Sequence, residues 1–367
     1  MQYRKMGKGL HRLSSVYRRL LFRLCGRSES GVLSSWYPCQ VEDPTAGQTF
    51  GDVVHPCVRY IEEGFEGHKW WMVYTPYYGC NAEMENPRLC YSDTFDGELP
   101  TEWKFYCIIK DKPKEGYNSD PTLLFHEGRL YVYWRENYTL RTRSLGVSRT
   151  TVGCYIDNRQ VHYLAEAQLL ELNRNKDKEV SPTFLSFNGR PRAYAMHLRF
   201  CSRMMYHLSD KISRRVYRLL DYTEKLGLYS RFRCKGVSIW ESNSFEHQFK
   251  YLKTVRFHGS NHLYHPWHMD LFFPPEDEPG LYAVIQSNHA RPDICLAKSK
   301  DGAGFRLFKY PLITSASNQM KGLYKPSAVV VGQQFVLFFT ARNTDDPRLN
   351  RLYVSSIAWN ELLKRVS

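Results

Sequence analysis

One short pattern recurs five times along this chain: a polar residue, a proline, then an apolar run. The copies begin at His55-Pro56, Asp120-Pro121, Ser181-Pro182, His265-Pro266 and Lys325-Pro326. Most continue as an apolar strand, in HPCVRY, DPTLLF, SPTFLS and KPSAVV. A second, more aromatic strand follows each: KWWMVYTP, RLYVYWRE, PRAYAMHL, GLYAVIQS and QFVLFFTARN. The starts lie 65, 61, 84 and 60 residues apart. Short β runs at this period contain no helix pair and exceed a WD40 repeat. They fit decorated four-stranded blades, so five units predict five blades around one axis.

The composition agrees with one large closed all-β unit. The 367 residues are 43% hydrophobic and 15% aromatic, enough for a sizeable core. No apolar run approaches the ~18 residues of a membrane span. Arginines interrupt the apolar stretches near the N-terminus, which is unlike a secretory signal. The ten cysteines are scattered without a CxxC pair. That excludes a zinc ribbon and a thioredoxin-like motif, and it suits free buried thiols in a reducing, cytoplasmic setting.

The net charge is +14, and 8 of those charges come from Arg4, Lys5, Lys8, Arg12, Arg18, Arg19, Arg23 and Arg27, with no acid among residues 1–27. Within the same stretch Leu10, Leu13, Val16, Tyr17, Leu20, Leu21 and Leu24 recur at helical spacing. A basic amphipathic helix is predicted over residues 1–30, suited to packing on the propeller or to an anionic membrane surface. No RNP, KH or zinc-finger signature accompanies the charge, so nucleic acid is not the expected partner.

The propeller is predicted over 31–367, with blades starting near 51, 117, 178, 262 and 322. A strand within 28–50 would complete the last blade, which otherwise is one strand short. The long third repeat holds MMYHLSDKISRRVYRLLDYTEKL, predicted as a helical insertion at about 202–230.

In a propeller the innermost strands line the central axis, so the five starts should converge there. A blade needs an apolar inner strand but no charge at its mouth. His55, Asp120, Ser181, the 265–270 segment and Lys325 are therefore candidate site residues. Glu85 opens the third strand of blade one. Trp134, Arg135 and Glu136 end the second strand of blade two, and Arg342 and Asn343 the matching strand of blade five. Trp267, His268 and Asp270 complete the set. Residues two apart share a strand face, so His268 and Asp270 are expected to point together, and Trp134 with Glu136. Aromatics beside carboxylates and arginines suit a sugar, whose C–H faces stack while its hydroxyls bind charge. The run of histidines from His262 to His268 hints at metal. However, Pro266 forbids the helix that would align His262 with His265, so no metal-ligand set is assigned. His268 leaves room for a divalent channel ion such as calcium.

With these residues the chain resembles the five-bladed β-propeller glycosidase superfamily, which includes glycoside hydrolase families 43, 32, 117 and 130. The resemblance spans roughly 51–360. It rests on the five x-Pro starts, on YNSDPTLLF before GRLYVYWRE, and on HPCVRYIEEGFEGHKWWMVYTPY before ENPRLCYSD. The last pair looks most like propeller proteins found with bacterial surface-polysaccharide genes. In family 43 the first three inner strands carry Asp, Asp and Glu. Here Asp120 matches the second, while His55 and Ser181 stand at the first and third. The family's ordinary mechanism therefore does not transfer intact. The resemblance implies a glycoside hydrolase-like enzyme acting on a polysaccharide or its precursor. Asp120, Asp270, Glu85 and His268 are the expected catalytic groups. His55, Ser181, Trp134, Arg135, Glu136, Trp267, Lys325, Arg342 and Asn343 are expected to bind substrate. Family 117 implies a histidine acid, which suits His55 or His268. Family 130 implies phosphate held by Lys325, Arg135 and Arg342. A non-catalytic sugar-binding propeller is the alternative.

Overall fold

The computed structural model describes residues 31–44, 52–95, 97–114, 116–138, 148–165, 168–170, 177–200, 232–259, 266–287, 292–315, 320, 322–342, 346 and 349–367. The expected helix over 1–30, the insertion over 202–230, and His262, His265 and Asn343 lie outside them. Five antiparallel sheets form a five-bladed propeller. Their innermost strands are Val53–Phe65, Tyr117–His126, Asp177–Phe187, Pro266–Phe272 and Tyr324–Val331, each beginning at or beside a repeat start. Among the described residues no helix is long and apolar enough to cross a membrane.

The second strands read as unbroken apolar runs because both faces are covered. In His68–Pro76, Trp70, Met72 and Tyr74 pack toward blade five, while Trp71 and Val73 pack toward blade two. The same alternation builds one apolar cluster at each of the five junctions between neighbouring blades. At about 25 cal/mol per Å² of buried apolar surface, these junctions supply the main favourable term.

The ring is closed from the N-terminal side. Tyr37–Pro38 adds the outer strand to blade five, pairing Tyr37 with Val354 and Pro38 with Tyr353. This is the strand that the sequence left missing there. Two residues later Gln40–Val41 joins the outer edge of blade one in parallel with Glu102–Ile108. One short segment thus bridges the last blade and the first.

Each inner strand carries one extra residue against its neighbour. The ladder slips between Val54 and Cys57, Ser119 and Thr122, Val180 and Thr183, Pro266 and His268, and Tyr324 and Ser327. Such a bulge bends the strand and re-aims a side chain. In four blades the residue before the proline takes positive φ: 58° at His55, 53° at Asp120, 50° at Ser181 and 26° at Lys325. A non-glycine residue there, followed by proline, is a strained arrangement costing about 1–3 kcal/mol. In blade four the extra residue is Trp267, so the place at the axis falls to His268.

The axis has two tiers. The upper tier is His55, Asp120, Ser181, His268 and Lys325. Two residues further along each strand, on the same face, stand Cys57, Thr122, Thr183, Asp270 and Ser327. The lower tier is tied together. Asp270 accepts bonds from Arg59 Nη1 and Nη2 (3.0 and 2.8 Å), Ser327 Oγ (2.6 Å), Thr183 Oγ1 (3.2 Å) and the Ala328 and Leu271 amides (3.2 and 3.0 Å). Ser327 Oγ in turn accepts the Val58 amide at 2.9 Å, and Cys57 Sγ lies 3.5 Å from Thr122 Oγ1. Asp270, expected from the sequence as a catalytic base, instead joins blades one, three, four and five. Burial opposes its charge, but Arg59, Ser327 and the Ala328 amide outweigh it and hold its pKa below the usual value. Asp270→Asn leaves Arg59 buried without its counter-charge. It is expected to cost about 3–5 kcal/mol, measured as a lower midpoint in denaturant titration.

Candidate active site in the propeller channel

The upper tier gathers polar groups from every blade, titratable in all but blade three. His55 Nε2 lies 3.1 Å from Asp120 Oδ1 and 3.2 Å from Tyr324 Oη. His55 Nδ1 lies 2.9 Å from Thr75 Oγ1 and 3.5 Å from Glu85 Oε2. Imidazole thus stands between two carboxyl groups. Arg135 Nη2 donates to Asp120 Oδ2 at 2.7 Å and to Ser119 Oγ at 2.9 Å. Ser181 Oγ and His268 Nδ1 are 2.6 Å apart. Lys325 Nζ donates to the Pro121 carbonyl at 2.6 Å, and its amide donates to Gln286 Oε1 at 3.0 Å. The ligand atoms of His55, Asp120 and His268 lie within 4.8 Å of one another, the one group of three with metal-ligand spacing among the described residues.

Glu85 reaches the site through a docked loop. Its carbonyl accepts the Asn118 amide at 2.9 Å, and Asn118 Nδ2 donates to Asn86 Oδ1 at 3.3 Å. The start of blade two's inner strand therefore fixes the turn that carries Glu85.

These groups are almost dry: Glu85 is 5% exposed, His55 3%, Asp120 2% and His268 1%. Burial raises the Glu85 pKa well above the usual carboxylate value, and nearby Asp120 raises it further. Burial works on Asp120 in the same direction, but Arg135, then His55, His268 and Lys325, override it and hold it ionised. The two neighbouring carboxyl groups are thus pushed apart, Glu85 toward its protonated form and Asp120 toward its charged one. Burial also pushes the His55 pKa down to about 3 against the pull of Asp120, with Lys325 and Arg135 adding to the fall. His268 is driven well below 6.5 chiefly by burial. Both imidazoles are therefore neutral near pH 7. Burial likewise lowers Lys325.

Other residues expected at the site fall differently. Trp134 is buried in the cluster between blades one and two, with Tyr163 at 6.2 Å, so it is core and not a sugar platform. Glu136 shares its face and is half-buried. Trp267 is half-buried, edge-on to His268 at 6.1 Å. Arg342 is half-buried at the end of its strand, where its side chain covers Gly322. The sequence reading missed Tyr324, Thr75, Ser119, Gln286 and Arg59. Tyr324 directly precedes a repeat start and Ser119 does the same in blade two, which was a usable signal. Thr75, Gln286 and Arg59 are placed by cross-strand register and across the axis, which a single sequence does not display.

No protein-family model and no curated protein matches the sequence. Solved structures do. An N-acetylgalactosamine deacetylase from F. plautii, in complex with blood group B trisaccharide, superposes with a TM-score of 0.64 at 15% identity, covering 92% of this chain and 98% of that one. A family 117 glycoside hydrolase from Zobellia galactanivorans gives 0.53 at 13% identity, covering 90% and 93%. Inulosucrase from Halalkalicoccus jeotgali, bound to kestose, gives 0.58 at 11% identity, covering 90% of each. The chain thus shares the five-bladed propeller fold of these enzymes.

The histidine shifts have a consequence for stability. A group whose pKa is depressed by folding contributes fully above its unfolded value and loses that contribution as pH falls. For His55 the window runs from 6.5 down to about 3. Glu85, raised by folding, acts with the opposite sign above its unfolded value of 4.5. In chelator-treated protein, His55→Asn should flatten the fall in stability below pH 6.5 by roughly 1.4 kcal/mol per pH unit, read from denaturant midpoints at several pH values.

Proposed function

We propose that this protein is a carbohydrate-processing hydrolase that removes an acyl substituent from a sugar unit. Its centre would be a channel cation held by His55, Asp120 and His268. The buried trio carries the reading. His268 Nε2 has no hydrogen-bond partner among the described residues, although the ring is fully enclosed. A buried polar atom without a partner calls for a ligand. The 3.1 Å between His55 Nε2 and Asp120 Oδ1 matches the ~3.3 Å edge of a tetrahedron with metal–ligand bonds near 2.0 Å. Two imidazoles and a carboxylate suit zinc or a similar ion better than calcium, which takes oxygen ligands.

When bound, such an ion supplies Lewis acidity and an activated water. The chain's own residues supply the rest. Arg135 keeps Asp120 charged and aimed. Glu85, pushed toward its protonated form, is the candidate acid, and from the other side of the His55 ring it would pass its proton to a leaving amine or alkoxide through a bridging water. Lys325 holds the start of blade two in place through the Pro121 carbonyl. Trp267 offers a half-exposed aromatic wall, the surface on which a sugar's C–H face rests. The deacetylase name of the F. plautii structure and the sugars bound in two of the neighbours support a carbohydrate substrate.

Glycosidic cleavage is the second reading. It is favoured by the split between protonated Glu85 and ionised Asp120, the pattern of an acid working beside a charged partner. The commitment of Asp270 to the axis removes the carboxylate that would otherwise have served as its base.

The two readings separate in one assay. N-acetylated oligosaccharides are incubated with the protein, and acetate and new reducing ends are both measured. The first reading expects acetate release that a chelator abolishes and zinc or manganese restores, and a ~10²-fold loss in His268→Asn. Chelator-resistant release of reducing ends would replace it with the second. Sugar binding without either product would make the protein a lectin-like propeller.

A further inference from the structure

Ser181 stands where family 43 propellers place a catalytic acid, yet it carries no charge and cannot serve as one. Ser181 is 2% exposed, and among the described residues its hydroxyl pairs with His268 Nδ1, at 2.6 Å. The backbone is held at φ 50° to bring the hydroxyl there. The opposite ring nitrogen, Nε2, is the one without a partner. A neutral imidazole has one protonated and one lone-pair nitrogen, and the bond made by one fixes the role of the other.

We propose that Ser181 is the positioning residue for His268. The Nδ1–H donates to Ser181 Oγ, which leaves the Nε2 lone pair free to bind a cation beside Asp120 and His55. This inference rests on the cation reading for its purpose, but the tautomer it assigns does not. A residue that orients a metal-ligating histidine typically changes metal affinity 10–100-fold. Ser181 itself touches neither the ion nor the substrate.

Backbone conformation allows a clean test. Glycine adopts φ near 50° freely, while a β-branched residue resists it. Ser181→Gly removes the hydroxyl and relieves strain. Ser181→Thr keeps the hydroxyl and adds strain. Zinc affinity is measured by calorimetry on chelator-treated full-length protein, beside melting temperatures. Ser181→Gly should raise the zinc Kd about 10–100-fold with an equal or higher melting temperature. Ser181→Thr should keep Kd close to wild type at a lower melting temperature. Wild-type Kd in Ser181→Gly would overturn the proposal.

A second readout does not need the ion. Long-range proton–nitrogen spectra of metal-free wild type should show His268 protonated on Nδ1, with Ser181→Gly shifting it toward a mixture. An Nε2-protonated wild-type ring would overturn the proposal even if zinc binds. An Nδ1-protonated ring in a protein that binds no zinc would sink the cation reading and leave the positioning intact. Covalent labelling of Ser181 by a fluorophosphonate would overturn the proposal as well, since it would make the serine a nucleophile.

Discussion

One extra residue in each inner strand decides most of what this propeller is. A regular strand would alternate its side chains between the two blade faces, with none directed along the axis. The bulge interrupts that alternation at the mouth of every blade. In four blades it forces a residue before proline into left-handed backbone. Such strain persists only where surrounding structure over-determines it. Here the over-determination is visible. Below the bulges the strands re-enter register, and five apolar clusters lock the blades to one another.

The two tiers of the axis use similar chemistry to opposite ends. Each contains a buried aspartate paired with an arginine, Asp270 with Arg59 and Asp120 with Arg135. In the lower tier the pair is saturated by hydroxyls and amides from four further residues, so the charge is spent on holding blades together. In the upper tier Asp120 faces two neutral imidazoles, and the His268 Nε2 nearby is left over. A low-dielectric interior makes an unpartnered polar atom costly. That contrast, an unpartnered atom beside a fixed carboxylate two residues above a fully satisfied network, is what the proposed ligand site rests on.

Much of this was legible in the sequence, and the limits have physical causes. The x-Pro starts pointed to Asp120, His55, Ser181 and Lys325 at the axis, but not to the bulges that aim them there. Arg135 and Glu85 were found by their position at strand ends. Asp270 was read as a catalytic group because it shares a face with His268. That geometry is right, but its partners come from Arg59, Thr183 and Ser327, which lie 211, 87 and 57 positions away. Trp134 was read as a sugar platform from the company of Arg135 and Glu136. Its strand is covered on both faces, and only the packing of blade one against blade two shows that its side is core.

The sequence by itself determined the number of blades, the order of their strands and which residues approach the axis, because those follow from periodicity and from proline's effect on the backbone. The tertiary structure alone decided what each of those residues does. Burial and neighbours far away in the chain push His55 and His268 toward the neutral form, Glu85 toward the protonated form and Asp120 toward the charged form. It also gave the fourth blade's place at the axis to His268, by making Trp267 the extra residue. A side chain's protonation and partners are set by the field and solvent exclusion around it. Those are sums over elements that only closure of the ring brings together.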